Sequence, residues 1–239
     1  MSLLLQPTDR LFVLTGAGVS AESGLATFRG KGGLWEGNRA VDLATPEAFA
    51  RDPELVWRFY SMRRARHAEC KPNAGHIALA HLETKLGARM LICTQNVDSL
   101  HEAAGSTRVL HMHGKLTESR CSNPHCPSEP FEDRKEYPAQ SQIPVCKICG
   151  AILRPHVCWF GEVPYHMDEV LASLQQCSVF LTVGTSGMVQ PAASFAELAR
   201  RNGARTYYVG PENPANVFSF QEVFLGPAGS RLPELLRVE

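Results

Sequence analysis

The amino-acid sequence predicts an α/β protein built on an open parallel sheet, with a smaller metal-binding module inserted into it. Three observations support this fold class. Short apolar segments recur along the chain, helical patterns separate them, and one long polar segment carries paired cysteines. Apolar runs without alternation are typical of strands that are buried on both faces of a parallel sheet. Five such strands are predicted, at 10–15, 89–94, 109–113, 179–184 and 206–210.

Helices are predicted between these strands. Thr45 and Asp52 are each followed by proline and then glutamate, a pattern typical of helix N-termini. A longer helix is predicted over 73–87, with Gly87 as its C-cap. Its apolar face is predicted to comprise Ile77, Ala80, His81 and Leu82. Further helices are expected near 191–202 and 231–237, and the alternation of strands and helices indicates a doubly wound sheet.

The segment 117–151 interrupts this alternation, because it is polar, rich in proline and without periodicity. Four of the eight cysteines lie in it as two pairs, Cys121 with Cys126 and Cys146 with Cys149. Two pairs of thiolates predict a tetrahedral structural zinc site with no open coordination position. Free surface thiols are the alternative, and His125 is an alternative ligand. The other four are predicted to be small core residues, namely Cys70, Cys93, Cys158 and Cys177.

Composition narrows the possible partners and location. Lys and Arg total 24, as do Asp and Glu, so the formal net charge is zero and no nucleic-acid partner is indicated. No apolar run approaches the roughly 20 residues that cross a bilayer, so no membrane association is expected. The first residues lack a basic n-region, and the paired cysteines suit a reducing compartment; we therefore expect a cytoplasmic protein.

A glycine-containing turn follows the first predicted strand. Gly16-Ala17-Gly18, with Ala21 three residues further on, fits a loose dinucleotide-binding pattern, and a tight turn is the alternative. A dehydrogenase would continue with a helix, a second strand and an acid that binds ribose. Instead the run 27–37 belongs to a glycine-rich stretch that is typical of a flexible flap. This disfavours an ordinary dehydrogenase.

Two later stretches also carry polar groups at strand ends. Gln95, Asn96 and Asp98 follow the second strand, where ligands bind in open α/β sheets, although a helix N-cap would also explain them. His111 and His113 alternate in the third strand and are expected on one face. His113 lies against Gly114 at the strand end, where a neutral imidazole could act as a general base; a structural histidine is the alternative.

Taken together, these stretches resemble the sirtuin family over nearly the whole chain. The motifs that carry the resemblance occur in the family's order: GAGVSAESGLATFRG, TQNVD, HMHG, the two cysteine pairs, LRPHVCWFGE at 153–162 and VGTSGMVQPA at 183–192. The amino-acid sequence of these motifs is most similar to that of the bacterial CobB type, in the branch that also holds desuccinylases and demalonylases. Two features depart from the family pattern: four residues separate the first cysteine pair, and the last strand lacks an Asn-rich sequence.

The resemblance implies a Rossmann-like domain and an NAD-consuming protein-lysine deacylase. In that mechanism the acyl oxygen attacks the ribose carbon as nicotinamide leaves, and His113 then activates a ribose hydroxyl as general base. The products are lysine, nicotinamide and O-acyl-ADP-ribose. The implied NAD-binding residues are Gly16, Ala17, Gly18, Ala21, Glu22, Thr27, Phe28, Arg29, Trp35, Gln95, Asn96, Asp98, Gly184, Thr185, Ser186, Gly210 and Ala228.

The resemblance also implies how the acylated substrate binds. The peptide would pair with a segment formed by Val157, Trp159, Phe160, Gly161 and Glu162. Tyr60 and Arg63, three residues apart on a predicted helix, would bind the distal carboxylate of succinyl- or malonyl-lysine, because guanidinium forks a carboxylate well. Expected substrates are succinyl-, malonyl- and acetyl-lysine proteins, and NAD is a co-substrate beside one structural zinc ion.

The expected domain organisation follows from these assignments. A Rossmann-like domain comprises 1–38, 73–115 and 153–239, a helical part of the small domain comprises 39–72, and a zinc-binding module comprises 116–152. We expect a monomer. Two other functions fit parts of the sequence, a zinc-ribbon nucleic-acid binder and an ADP-ribosyltransferase, but the balanced charge disfavours the first.

Overall fold

The computed structural model of the chain describes residues 3, 5–25, 34–35, 38–138 and 143–236. The strands of the described residues are β1 (Leu11–Thr15), β2 (Leu34–Trp35), β3 (Asn38–Arg39), β4 (Met90–Thr94), β5 (Val109–His111), β6 (Gly114–Cys121), β7 (Phe131–Glu132), β8 (Leu153–Val157), β9 (Val179–Val183), β10 (Arg205–Gly210) and β11 (Glu222–Leu225). The α-helices are α1 (Ala40–Leu43), α2 (Pro46–Arg51), α3 (Pro53–Glu69), α4 (Ala74–Leu86), α5 (Leu100–Ala103), α6 (Met167–Gln176), α7 (Phe195–Arg201) and α8 (Ala228–Leu235).

The main sheet has six parallel strands in the order β11-β10-β9-β1-β4-β5. Counted along the chain within this sheet, that is the Rossmann order, with β1 and β9 at the point where the strand order reverses. The predicted open parallel sheet is therefore confirmed.

Side chains of the central strands alternate between two apolar layers. Leu11 and Val13 face the layer that contains α4 and α8, and Phe12 and Leu14 face the layer that contains α6 and α7. All five residues of β1 are buried, as are those of β4 and β9. Burial on both faces explains why these strands read as continuous apolar runs.

A second sheet of three antiparallel strands, β7-β6-β8, forms the smaller layer beside α3. The Trp57 indole N–H of α3 donates to the Leu153 carbonyl oxygen at 2.9 Å. The Arg64 guanidinium, which is 4% exposed, donates to the Leu116 carbonyl and to Asp133. The segment expected to be irregular thus begins with the ordered strand β6. The domain boundaries given above stay a prediction.

Helix N-termini follow the predicted chemistry. Thr45 accepts a hydrogen bond from the Ala48 N–H at 3.0 Å, and Asp52 accepts one from the Leu55 N–H at 2.9 Å. Gly87 ends α4 with φ +56°, a conformation that favours glycine.

Two details of the predicted elements are wrong. On α4, Ile77 and His81 are exposed, and the buried face instead includes His76, Leu79 and Leu82, because the helix is rotated toward α8 and β4. The third strand ends at His111 rather than at 113, since Met112 and His113 form a turn.

Cys93 and Cys177 are buried as predicted, whereas Cys70 and Cys158 are only partly buried. None of the helices that the structure describes is both long and apolar enough to cross a membrane.

Candidate active site

The loops after β1 and β9 meet at the point where the strand order of the main sheet reverses. The Gly16 N–H donates to the Val183 carbonyl at 3.0 Å, and the Gly18 N–H donates to the Gly184 carbonyl at 2.8 Å. A Cβ on Gly18 would lie 2.7 Å from the Gly184 Cα, too close for any side chain. The glycines therefore let two loop backbones touch. The N–H groups of Gly16 and Gly18 are bonded within the protein, so they do not point at a phosphate as the sequence pattern suggested.

Glu22 and Ala228 lie beside this crossing. The Glu22 carboxylate accepts a hydrogen bond from the Gly229 N–H at 2.6 Å, at the N-terminus of α8. Ala21 is exposed beside it, and Ala228 is buried. The structure thus brings together Glu22 and Ala228, which are far apart in sequence and were both assigned to NAD binding.

The loop that follows β9 continues the same edge. Thr185 and Ser186 are partly exposed, and the Tyr208 hydroxyl donates to the Thr185 carbonyl at 3.2 Å. Gly210 ends β10, where a Cβ would lie 2.2 Å from the Tyr208 hydroxyl. The close packing against Tyr208 therefore accounts for glycine at position 210, whether or not a ligand also contacts it.

Asn96 and Asp98 share a buried hydrogen-bond network with Ser20. The Ser20 hydroxyl donates to Asp98 Oδ2 at 3.0 Å and accepts from Asn96 Nδ2 at 3.1 Å. Asp98 Oδ1 also accepts from the Leu100 N–H at 3.1 Å, but the N-cap of α5 is Ser99, so neither Asn96 nor Asp98 is the helix N-cap that the alternative interpretation required. Gln95 is only partly buried. These groups lie at the carboxyl end of β4, where an open sheet binds ligands.

Sequence reasoning missed three polar residues of this network. Ser20 lies inside the glycine motif, yet its hydroxyl joins the loop after β1 to the loop after β4. His76, which is 0% exposed, lies 3.4 Å from the Ser20 hydroxyl, and His101 Nε2 lies 3.0 Å from the Thr15 hydroxyl. Burial lowers the pKa of His101 to about 3, so this ring is neutral. The signal available in the sequence was that these polar residues stand among apolar ones. Their contacts with one another depend on the fold, so the sequence does not reveal them.

His113 projects beside this network, and its hydrogen bond fixes its tautomer. Its Nδ1 lies 2.9 Å from the Gln95 carbonyl oxygen, which can only accept, so Nδ1 carries the proton. The lone pair of the neutral ring is then on Nε2, the atom available to take a proton from a substrate. Burial lowers the pKa of His113 below its ordinary value of 6.5, and the Gln95 bond only partly opposes this. His113 is therefore a neutral base near pH 7.

His111 contacts the same loop as His113, the one that follows β4. Its Nδ1 lies 3.2 Å from the Asn96 carbonyl and its Nε2 lies 2.8 Å from Glu102. Burial raises the pKa of Glu102, but the hydrogen bond and charge of His111 together with Lys115 outweigh it and lower the pKa to about 2. The strand ends at His111, so the predicted alternation does not continue to His113, but the two rings contact the consecutive carbonyls of Asn96 and Gln95.

Tyr60 and Arg63 lie three residues apart on α3, and their side chains are buried and partly buried, respectively. The Tyr60 hydroxyl, 1% exposed, accepts a hydrogen bond from the Trp159 indole N–H at 2.9 Å. Arg63 is partly buried and lies over the Phe59 ring at 5.6 Å. Burial lowers the pKa of Arg63, while electrostatic interactions with Tyr60 and Asp98 raise it. The guanidinium is thus within electrostatic reach of the Asp98 network.

The segment 157–162 begins at the last residue of β8 and passes beside His113. Val157 pairs with Gly114, and the Cys158 N–H donates to the His113 carbonyl at 2.9 Å. Phe160 is 49% exposed and Gly161 has φ +89°, so the segment turns at the surface. The Glu162 carboxylate binds Arg154 at 2.6 Å and the Trp159 N–H at 2.8 Å, which makes this side chain internal. A peptide would therefore meet the backbone of this segment rather than the Glu162 carboxylate.

The four predicted metal ligands meet in space. The sulfur atoms of Cys121, Cys126, Cys146 and Cys149 all lie within 4.8 Å of one another. The N–H groups of Cys149 and Ile148 lower the pKa of the Cys146 thiol to about 6, which favours the thiolate that a metal requires. Four thiols at this spacing fit one tetrahedral zinc ion without His125, whose position on the intervening loop is exposed.

Four residues assigned to the NAD flap fall in less completely described parts of the chain. Thr27, Phe28 and Arg29 lie outside the described residues, and for Trp35 the structure describes the backbone only. Leu34–Trp35 pairs with Asn38–Arg39, so the predicted flap 27–37 contains a short strand near its end.

Comparison with known proteins identifies the family. The Sir2 family model matches residues 16–191. The chain belongs to the Sir2 family. It is 47% identical over 229 residues to the NAD-dependent protein deacylase of Shigella flexneri, covering 95% of this chain and 82% of the relative. It is 44% identical over 232 residues to the enzyme of the same name from Vibrio parahaemolyticus, covering 96% and 95% of the two chains.

Solved Sir2 structures have the same fold. A Sir2 homologue in complex with NAD is 38% identical, with a TM-score of 0.88, and the match covers 99% of this chain and 94% of the homologue. A mutant homologue in complex with 2′-O-acetyl ADP ribose is 40% identical, with a TM-score of 0.88 and coverage of 97% and 92%. These matches confirm the sirtuin resemblance and the fold class of this Sir2 chain.

Removing one thiol should release the metal from this Sir2 chain. We expect Cys149→Ser to abolish binding of one zinc ion per chain and to lower Tm by on the order of 10 °C, because a structural zinc site contributes folding free energy. Elemental analysis and calorimetry measure the two effects. Cys70→Ser, outside the cluster, is the matched control. Unchanged zinc content in Cys149→Ser would contradict the four-thiol site.

The depressed pKa of His113 predicts the acid limb of the pH–rate profile. Only neutral Nε2 can accept a proton, so kcat/KM should rise as pH increases through the His113 pKa and should level off above it. We expect the midpoint of this limb below 6.5 in the wild-type enzyme. A midpoint above 6.5, measured with a neutral acetyl-lysine peptide, would contradict this protonation state.

Proposed function

We propose that this Sir2-family chain removes succinyl, malonyl and acetyl groups from protein lysines, transfers them to ADP-ribose and releases nicotinamide. The broader activity is that of a sirtuin-type NAD-dependent protein deacylase, as its curated relatives are named. NAD is a co-substrate, and the four-thiol cluster fits one structural metal ion. To this broader activity our proposal adds a preference for acidic acyl groups.

The observation that carries this preference is the pairing of Tyr60 and Arg63 on α3. Both side chains are withdrawn from bulk solvent, and Arg63 lies within electrostatic reach of Asp98. A partly buried guanidinium beside a phenol can bind a carboxylate through charge-assisted hydrogen bonds. A neutral acetyl group uses neither donor. The distal carboxylate of a succinyl or malonyl group therefore supplies the partner that this pocket selects.

His113 supplies the general base. In the proposed sequence the acyl oxygen displaces nicotinamide from the ribose carbon, and His113 Nε2 then accepts a proton from a ribose hydroxyl that attacks the acyl carbon. The Gln95 carbonyl holds Nδ1–H, so Nε2 is oriented for this transfer. We assign the Asn96, Asp98 and Ser20 network to the nicotinamide end of the co-substrate, and Glu22, Thr185, Ser186, Gly210 and Ala228 to the adenine end.

The substrate backbone is proposed to add as a strand to the segment 157–162. Support comes from the position of this segment, since its Cys158 N–H is bonded to His113 and its exposed turn carries Phe160. Trp57 and Arg64 of α3 hold β8 and β6 in place beside it, through hydrogen bonds to the Leu153 and Leu116 carbonyl oxygens. We further propose a cytoplasmic monomer.

One assay tests this proposal. A single lysine peptide is prepared in acetyl, malonyl, succinyl and glutaryl forms, and NAD-dependent nicotinamide release is measured for each in parallel. We expect release from the succinyl and malonyl forms with kcat/KM at least equal to that of the acetyl form. Release from the acetyl form alone would refute the preference for acidic acyl groups, and transfer of label from NAD to protein would favour an ADP-ribosyltransferase instead.

A further inference from the structure

The Trp159 side chain is turned inward, away from the surface where its backbone would meet a peptide. It is 2% exposed and packs against Phe49 with ring centroids 5.2 Å apart. Its N–H donates to the Tyr60 hydroxyl oxygen at 2.9 Å, in a fully buried contact. The indole therefore contacts the phenol of the acyl pocket directly.

The direction of this hydrogen bond determines what Tyr60 can do. An indole N–H only donates, so the Tyr60 oxygen must be the acceptor. The phenol proton is then left for a different acceptor, and within the described part of the chain no group accepts it. Burial raises the pKa of Tyr60, so the phenol keeps that proton at neutral pH. Tyr60 thus presents an O–H donor beside Arg63.

A buried ion pair fixes the indole in place. The Arg154 guanidinium carbon lies 3.4 Å from the centroid of the Trp159 ring. Arg154 in turn binds both oxygens of Glu162, at 2.6 and 2.8 Å, and Glu162 accepts from the Trp159 backbone N–H at 2.8 Å. A cation over the ring face withdraws electron density from the indole, which makes its N–H a better donor. Glu162, Arg154 and Trp159 therefore act on Tyr60 as one unit.

We propose that Trp159 is a specificity-determining positioning residue, which holds the Tyr60 oxygen as an acceptor and so directs the Tyr60 O–H toward the carboxylate of an acidic acyl group. The inference rests on the proposed function, because it concerns the same acyl pocket. Phenylalanine would keep an aromatic ring at this position, but it has no N–H to orient the phenol. The indole nitrogen, rather than the ring, is the element that favours acidic over neutral acyl groups.

The test compares kcat/KM for succinyl and acetyl forms of one peptide. In Trp159→Phe the succinyl-to-acetyl ratio should fall about tenfold, chiefly through KM, because one hydrogen bond to a charged group loses its orientation. Phe49→Leu is the matched control, since it removes a ring contact of Trp159 but leaves the N–H, and it should keep the ratio. Tyr60→Phe should lower the ratio, and adding Trp159→Phe to it should lower the ratio no further.

Several outcomes would overturn the inference. An unchanged ratio in Trp159→Phe would do so, as would a further drop when it is combined with Tyr60→Phe, because the effect would then not pass through the phenol. Should Trp159→Phe fail to fold, site-specific β-(3-benzothienyl)alanine at 159 removes only the N–H and must lower the ratio equally. A wild-type enzyme inactive on the succinyl peptide would instead refute the proposed function, and the inference with it.

Discussion

Replacing His113 by asparagine is expected to reduce kcat/KM for deacylation by about 10²- to 10⁴-fold, the usual contribution of a general base. Asparagine can still donate to the Gln95 carbonyl, to which His113 Nδ1 is bonded at 2.9 Å, so the loop should keep its position. What is lost is the lone pair on Nε2. Nicotinamide release and O-acyl-ADP-ribose formation, followed by chromatography with acetyl and succinyl peptides, measure the loss.

A second measurement separates the two chemical steps. Because His113 acts after nicotinamide has left in the proposed sequence, labelled nicotinamide should still exchange into NAD in the presence of acyl peptide. His81→Asn, at an exposed position of α4, is the matched control and should behave as wild type. Equal losses of exchange and product formation would show that His113 acts before or during nicotinamide release, and a loss below tenfold would remove it as the base.

The main sheet could be predicted because its central strands are continuous apolar segments. β1, β4 and β9 are covered on both sides, so every residue in them is buried. β8 was missed, since its sequence is LRPHV and its charged residue, Arg154, is buried by specific partners rather than by apolar surroundings. Arg154 lies between Glu162 and the Trp159 ring, and these contacts exist only once the chain has folded. The edge strand β11, which is half exposed, also lacks a clear apolar pattern.

Some parts of the candidate site could be predicted from the sequence more completely than others. Cysteine spacing alone indicated the four-thiol cluster, because metal ligation restricts residue type and spacing together. The glycine motif indicated a nucleotide site, but its immediate reason is the contact between Gly18 and Gly184, which are distant in sequence. The roles of Ser20 and Trp159 depend on side-chain direction. No periodicity in one sequence encodes that direction.

Replacing Arg63 by methionine is expected to lower the succinyl-to-acetyl ratio of kcat/KM by about 100-fold, because a buried carboxylate would lose its charged partner. Methionine keeps the length and apolar character of the stem, so the pocket should still accept an acetyl group. Burial lowers the pKa of Arg63 while Tyr60 and Asp98 raise it, which indicates a cation held inside the protein rather than in bulk water. Such a cation gains more from an anionic ligand than an exposed one does.

Two further variants make the result specific to the geometry at position 63. Arg63→Lys keeps the charge but loses the fork of donors, so its ratio should fall between those of wild type and Arg63→Met. Arg66→Met removes an exposed arginine one turn further along α3 and should leave the ratio unchanged. If Arg63→Met lowered activity on succinyl and acetyl peptides equally, Arg63 would serve the structure of α3 or the co-substrate rather than the acyl carboxylate. A selective loss that is largest in Arg63→Met, intermediate in Arg63→Lys and absent in Arg66→Met would assign the discrimination to the guanidinium.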